Sequence, residues 1–249
     1  MNTYSALASL YDRWAETDYV HWVDFYEALF AHFEVKPRTI ADLCCGTGKG
    51  MLELLKRGYK VTGVDISEDM LEQAGTRLRK GGFASAMLVC QDITRLKLPP
   101  QDACVCMCDG FNYLLNEKQV LAALRGIHAA LRPNGILIFD ISTYYKLKYM
   151  EGNGFFGKED IDAAYLWQNR FDDSTHTIDM DITFWAAQAS QQDDMHRTRE
   201  LHRQRAHTQH EMEQWLAQAG FELQGIFGDL RLEPPKPKEM RIHFVAKRS

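Results

Sequence analysis

The sequence of 249 residues predicts an α/β protein built on a doubly wound, mostly parallel sheet, and three observations support this prediction. An apolar, β-prone run at 40–43 leads into small residues and then into helical spacing of apolar residues. A second apolar run, 60–64, ends in a carboxylate, Asp65. At this length, 45% hydrophobic residues bury about three-quarters of the unfolded surface, enough to cover both faces of a sheet.

The turn between the first predicted strand and its helix is interpreted as a cradle for a nucleoside. Gly46 and Gly48 allow the backbone to turn sharply and to approach a ligand closely. Asp65 follows about twenty residues later, where a carboxylate can accept both hydroxyls of a ribose. A dinucleotide fingerprint does not fit, because Met51 stands where G-x-G-x-x-G needs its third glycine, and no Gly-Lys-Ser/Thr occurs. The spacing therefore favours a cofactor without phosphate.

Residues 42–48 read Asp-Leu-Cys-Cys-Gly-Thr-Gly and resemble the first motif of the class I S-adenosylmethionine-dependent methyltransferases, which is usually D-L-G-C-G-T-G. Cys44 replaces the first glycine of that motif. We expect Cys44 to have ordinary β-region geometry, with Gly46 and Gly48 making the turn. Further segments resemble later family motifs in the same order, namely 67–74, 90–93, 102–109 and 131–140.

The resemblance implies a Rossmann-like sheet of seven strands in the order 3-2-1-4-5-7-6, with the last strand antiparallel. It also implies S-adenosyl-L-methionine as the cofactor and S-adenosyl-L-homocysteine as the product. By position in the family motifs, and from aromatics in an N-terminal leader, we expect a set of cofactor contacts. These residues are Tyr11, Tyr19, Asp42, Cys44, Gly46, Gly48, Asp65, Ile66, Met70, Asp92, Ile93, Cys108 and Asp109.

The elements divide the chain into a cofactor domain and an insertion. An amphipathic helix at 19–33 belongs to an N-terminal helical cover, 1–36, and the first five strands with their crossover helices occupy 37–141. Strands at 165–170, 177–185 and 198–206, joined by polar turns, predict an inserted antiparallel β lid within 142–207. A helix at 209–219 and strands at 221–227 and 242–247 then complete the cofactor domain, 1–141 and 208–249.

The chemistry implied by the resemblance is an in-line displacement at a methyl carbon, for which the protein holds the nucleophile and excludes water. A neutral amine must lose a proton and a hydroxyl needs a base, so the acceptor determines whether a general base is required. Tyr11, Tyr144 and His202 are the catalytic candidates. Substrate contacts are expected at four further residues. They are Asn112, Tyr113, Trp167 and Arg205.

Three of these residues have structural alternatives. Asn112 also suits the N-cap of the following helix. His202 and Arg205 either share a strand face that covers an anionic substrate, or belong to an ordinary solvated strand. The segment 109–113 lacks the [DN]-P-P-[YFW] pattern that family members use for planar amines of nucleobases or glutamine, so a small amine, carboxylate or hydroxyl acceptor is favoured.

Composition limits the remaining functions. A net charge of −5 and a pI of about 6.0 disfavour a large nucleic-acid surface. The sequence predicts no membrane span and no export signal, and its cysteines indicate a reduced compartment, so a cytoplasmic monomer or homodimer is expected. Cys104, Cys106 and Cys108 alternate, but without a second pair of suitable spacing we interpret them as core residues and expect no metal.

Three functions follow from these patterns. The first is methylation of a small metabolite. The second is methylation of a macromolecule such as tRNA or a protein, which predicts a basic surface and salt-sensitive binding. The third is a non-catalytic module that binds S-adenosylmethionine without turnover, since a fold alone does not establish catalysis.

Overall fold

The computed structural model describes residues 17–188 and 191–248, so the predictions for Tyr11 and for the rest of 1–16 lie outside the described residues. The central element is a sheet of seven strands. Its strands are β1 (Thr39–Leu43), β2 (Lys60–Asp65), β3 (Met87–Cys90), β4 (Gln101–Cys106), β5 (Leu131–Ser142), β10 (Phe221–Phe227) and β11 (Arg241–Arg248).

Five α-helices accompany this sheet in the described residues, and each begins where its sequence supplies a cap or a turn. They are α1 (Tyr19–His32), α2 (Lys49–Lys56), α3 (Glu68–Lys80), α4 (Glu117–Ala130) and α5 (Gln209–Gln218). Asp18 caps α1, Ser67 caps α3 and Asn116 caps α4, each through its side-chain oxygen. Thr208 and Glu211 form a reciprocal capping box at the start of α5.

Helices cover both faces of the sheet because side chains alternate along each strand. On β4, Cys104 and Cys106 pack in one core cluster with α4 and α5, whereas Ala103 and Val105 pack in the other with α1 and α2. This double coverage explains why the strands are apolar on both faces rather than alternating between apolar and polar residues.

The spatial order of the sheet is β3-β2-β1-β4-β5-β11-β10, and β11 pairs antiparallel with both β5 and β10. Counting only strands of this sheet, the order is 3-2-1-4-5-7-6, so the predicted fold class is confirmed. Since β1 pairs with β2 on one side and β4 on the other, the connections diverge at the carboxyl end of β1 and leave a crevice there.

A second, antiparallel sheet of four strands lies between β5 and α5 in the sequence, and we call it the lid sheet. Its strands are β6 (Phe155–Glu159), β7 (Ala163–Asp172), β8 (Thr177–Gln188) and β9 (Gln191–Arg205). Three of these strands match the predicted segments. The sequence analysis missed β6, because all five of its residues are exposed on an edge strand and leave no alternating pattern.

The two faces of the lid sheet differ in chemistry. The inner face carries Trp167, Ile182 and Glu200 in one register row, with Met180 and His202 in the next. The outer face carries ion pairs, in which Arg199 contacts Asp181 and Arg203 contacts Asp179. The strand β9, which carries four arginines, is therefore solvated on its outer face only. Within residues 17–188 and 191–248, each helix is too short or too polar to cross a bilayer.

Candidate active site

The loop from β1 to α2 has left-handed backbone geometry at three positions rather than two. Gly46 has φ +53° and Gly48 has φ +76°, but Cys44 also has φ +55°. The expectation of β-region geometry at Cys44 was wrong. Its side chain packs close to Gly110, where an added Cβ would lie 3.0 Å from Cys44 Sγ. This packing holds Cys44 in a conformation that a glycine adopts more readily.

Asp65 lies at the carboxyl end of β2 beside this loop. Its Oδ2 accepts the Gly46 N–H at 2.8 Å, and its Oδ1 accepts the Ser67 N–H at 2.9 Å. The carboxylate is 8% exposed and lines the cavity described below. Burial raises the pKa of Asp65, while these backbone donors act in the opposite direction. Each carboxylate oxygen keeps a further lone pair, so the geometry fits a ribose diol.

Asp42 lies deeper than the other predicted cofactor residues. It is 3% exposed on β1, and the described cavity lining contains Cys44 but not Asp42. Burial and the neighbouring Asp65 raise the pKa of Asp42 to about 8. The direct contact of Asp42 with the cofactor stays a prediction.

Beyond Asp65, the cavity wall contains both apolar and polar side chains. Ile66 is 62% exposed although it is apolar, and Met70 and Ile93 lie beside it in the lining. Asp92 also lines this part, and its Oδ1 accepts the Thr94 N–H at 2.8 Å. An exposed isoleucine next to a carboxylate suits a flat, partly polar ring such as adenine.

These residues border one cavity of about 1090 Å³ between the main sheet and the lid sheet. Single-ligand pockets occupy roughly 300–1,000 Å³, so this cavity has room for two ligands. The main sheet contributes the loop and Asp65, and the lid sheet contributes an aromatic and aliphatic wall. That wall consists of Tyr165, Trp167, Met180, Ile182 and Phe184.

The amino-terminal end of α1 closes a further side. Tyr19 and Trp22 line the cavity, and Cys108 Sγ lies 3.8 Å from the Tyr19 hydroxyl. Cys108 has φ +61° and stands past the end of β4, so it does not share the core environment of Cys104 and Cys106. Burial raises the pKa of the Cys108 thiol to about 12, and this thiol is therefore neutral.

Charged side chains collect at the end of the cavity beside Asp109. Arg241 Nη1 contacts Asp109 Oδ1 at 3.4 Å and also forms an ion pair with the buried Asp140. Lys146 Nζ lies 3.3 Å from Glu151 Oε1. Burial alone would raise the pKa of Asp109, but Arg241 and Lys146 lower it overall, whereas burial raises the pKa of Glu151. The formal charge of this cluster is negative, because three carboxylates meet two cations.

Asn112 neither caps α4 nor faces the cavity. Asn116 is the cap of α4. The Asn112 amide is fully buried, donates to the carbonyls of Ser142 and Arg205, and accepts the Ser142 N–H. Both predictions for Asn112 were wrong, because its side chain instead joins the end of β5 to the end of β9.

Arg205 also points away from the cavity. Its guanidinium contacts Glu211 Oε1 at 2.5 Å and stacks over Trp215 at 5.7 Å. Side chains alternate along β9, so Arg205 and His202 occupy opposite faces of the strand. The predicted substrate contact of Arg205 was wrong for this reason.

Of the two catalytic candidates in the described residues, one lies on the cavity wall and the other does not. The Tyr144 hydroxyl donates to Asp173 at 3.0 Å, outside the described cavity lining, so its prediction as a base was wrong. His202 lies on the cavity wall, with Nε2 3.1 Å from Glu200 Oε2 and its ring against Tyr113. The catalytic role of His202 stays a prediction, and so do the substrate contacts of Tyr113 and Trp167.

Several lining residues were missed by the sequence analysis. They are Lys146, Glu151, Gln204 and Arg241. Gln204 could have been predicted, because it lies two residues after His202 and therefore on the same face of the strand. Arg241 had no sequence signal, since it stands 132 residues from Asp109 and reaches it only through the antiparallel pairing of β11.

Comparisons with known proteins agree with this geometry. A methyltransferase-domain family model matches residues 40–135. A putative methyltransferase from Geobacillus sp. (strain WCH70) is 31% identical over 249 residues, which cover 99% of this chain and 100% of that protein.

Solved structures extend the likeness to the lid sheet. An S-adenosylmethionine-dependent methyltransferase from Clostridium acetobutylicum has a TM-score of 0.87 and 28% identity, with 98% of both chains covered. An S-adenosylmethionine-bound amino pentose methyltransferase from Micromonospora echinaspora has a TM-score of 0.74 and 19% identity, covering 100% of this chain and 99% of that one. The latter identity establishes a shared fold only.

Proposed function

Because the chain belongs to the class I S-adenosylmethionine-dependent methyltransferases, we propose that it transfers the methyl group to the nitrogen of a small amine. The activity is methyl transfer and the cofactor is S-adenosylmethionine. The amine as acceptor is the part that we add. The observation that carries it is the position of Asp109, an acid of lowered pKa that lines the cavity after β4.

The residues present fit the cofactor. Asp65 offers a carboxylate oriented by two backbone donors, and the glycines of the loop leave room, since nothing lies within 4 Å of a Cβ added at Gly46. We assign the ribose to Asp65, the adenine to Ile66, Met70, Asp92 and Ile93, and the amino-acid end to the loop. Bound S-adenosylmethionine supplies a methyl carbon activated by the adjoining sulfonium charge.

In the proposed reaction, the protein orients the acceptor and excludes water from the methyl transfer. We assign to the lid-sheet wall and α1, which border the acceptor space, the exclusion of water and the alignment of the nucleophile with the methyl carbon. Such positioning removes several kcal/mol from a bimolecular barrier, on the order of the effects known for oriented reactants. His202, paired with Glu200 on the wall, is our proposed acceptor of the proton that an ammonium loses before attack.

Charge favours an amine over a carboxylate acceptor. Lys146 and Arg241 line the cavity, but each already contacts a carboxylate of the protein. An anionic acceptor would therefore meet cations that are already paired, as well as Asp109 and Glu151. A cationic amine is attracted by the same cluster. The amino pentose methyltransferase from Micromonospora echinaspora supports the same choice, because it has this fold and its name specifies an amino sugar.

A labelled-methyl assay tests the proposal. Purified protein receives S-adenosylmethionine with a tritiated methyl group and a panel of small amines, each matched with the alcohol and the carboxylic acid of the same carbon skeleton. We expect label in N-methyl products, with S-adenosylhomocysteine formed in equal amount. Label only in ethers or esters would overturn the amine assignment. Tight binding of S-adenosylmethionine without any transfer across the panel would instead indicate a binding module.

A further inference from the structure

Three hydrogen bonds tie the turn after β4 to the end of β9. Gln204 Nε2 donates to Asp109 Oδ2 at 2.9 Å. Asn112 Nδ2 donates to the Arg205 carbonyl at 2.9 Å, and the His207 ring Nε2 lies 3.2 Å from the Phe111 carbonyl. The main sheet and the lid sheet are therefore joined at the cavity floor, and one of these bonds ends on a cavity-lining carboxylate.

The conformation of Asp109 leaves it dependent on such partners. Its φ is +58°, which is left-handed backbone geometry. Its N–H donates to Asp140 Oδ2 at 2.8 Å, and Arg241 reaches its Oδ1 at the longer distance of 3.4 Å. The shortest side-chain hydrogen bond to the Asp109 carboxylate thus comes from Gln204, which is itself 4% exposed.

We infer that Gln204 is a positioning residue, which holds the Asp109 carboxylate toward the methyl-transfer end of the cavity. This inference rests on the proposed function, because it assigns Asp109 to the positive charge of the acceptor. The lid sheet then does more than cover the site, since correct seating of β9 sets the direction of a carboxylate that belongs to the main sheet.

A glutamine suits this role because its amide is a neutral donor. An arginine or a lysine at position 204 would neutralise Asp109 as well as orient it. The amide fixes one carboxylate oxygen by a buried hydrogen bond and leaves the negative charge for a ligand. Arg241, by contrast, is shared with Asp140 and compensates that buried acid.

The test compares two ligands that need no knowledge of the acceptor. Sinefungin carries an amine where S-adenosylmethionine carries its methyl group, whereas S-adenosylhomocysteine carries nothing there. Calorimetric titration gives both Kd values for wild type, Gln204→Met, Asp109→Asn and the double variant. Gln168→Met is the matched control, because Gln168 is an exposed residue on β7 of the same sheet.

We expect wild type and Gln168→Met to prefer sinefungin. Gln204→Met should lower this preference about threefold to tenfold, the size of one hydrogen bond to a charged group acting indirectly. The Kd of Gln204→Met for S-adenosylhomocysteine should stay within about twofold of the wild-type value, since Asp65 and the loop are unchanged. Asp109→Asn should lower the preference at least as much, and the double variant should match Asp109→Asn, because Gln204 acts through Asp109.

The outcomes separate this inference from the proposed function. An unchanged preference in Gln204→Met, or additive losses in the double variant, would overturn the positioning role. Equal affinity of wild type for both ligands would also overturn it, while leaving methyl transfer intact. Failure of wild type to bind S-adenosylhomocysteine at all would refute the cofactor assignment on which both proposals depend.

Discussion

Substitution of Asp65 by asparagine gives the sharpest prediction for the cofactor site. The two carboxylate oxygens of Asp65 are oriented by the N–H groups of Gly46 and Ser67, at 2.8 and 2.9 Å. In the proposed assignment, their remaining lone pairs accept the ribose hydroxyls. A hydrogen bond to a charged group contributes ~1.5–3 kcal/mol. Loss of the charge, with one acceptor retained, should weaken binding of S-adenosylhomocysteine by about 1–3 kcal/mol, or about fivefold to 150-fold in Kd.

The variant also has a structural effect, which the assay has to separate. An asparagine presents its NH₂ group to one of the two backbone donors, so one contact with the loop is lost with the ribose contact. A ligand without the 2′-hydroxyl removes the same ribose contact from the other side. Calorimetry with S-adenosylhomocysteine and its 2′-deoxy analogue, on wild type and Asp65→Asn, therefore gives a thermodynamic cycle. Its coupling energy isolates the contact between Asp65 and the 2′-hydroxyl.

We expect wild type to bind the 2′-deoxy analogue about tenfold more weakly, and Asp65→Asn to bind both ligands with similar affinity. Glu72→Gln, at an exposed position of α3, is the control and should reproduce the wild-type ratio. If Asp65→Asn kept the wild-type ratio between the two ligands, the ribose assignment of Asp65 would be refuted, whatever its overall affinity.

Three further predictions concern stability, measured by urea unfolding. Asn112→Ala should cost about 2–4 kcal/mol, because three hydrogen bonds to backbone are lost; unchanged stability with weaker acceptor binding would restore it as a substrate residue. Burial and Arg205 lower the pKa of His207 to about 4, so this group should reduce stability by up to ~1.4 kcal/mol per unit as pH falls from about 6.5 to 4. His207→Gln should abolish that contribution. The pKa of Asp42 is raised to about 8, so the unfolded state binds fewer protons than the folded state. Stability should therefore fall as pH rises from about 4 to 8, and it should fall less steeply in Asp42→Asn. A wild-type pH slope in either variant would contradict these assignments.

The sequence alone determined the main sheet and the meeting of the glycine loop with Asp65. Residues 42–48 and Asp65 lie within a single β-α-β unit, where the order of the motif fixes the geometry: a strand end, a glycine turn and the next strand end meet at one edge. Local spacing sufficed there because few residues separate the interacting parts. The same locality explains why α1 and α5 begin at the predicted residues, 19 and 209.

The acceptor half was decided by tertiary structure. Along β9, side-chain alternation already puts His202 and Arg205 on opposite faces, but only the pairing of the strands decides which face lines the cavity. Asn112 and Asn116 both suit a helix cap, and only the packing of β5 against the end of β9 assigns the first to the interior. Arg241 and Gln204 reach Asp109 from 132 and 95 residues away. No local pattern encodes such contacts, because they form only when the lid sheet and β11 have folded onto the central strands.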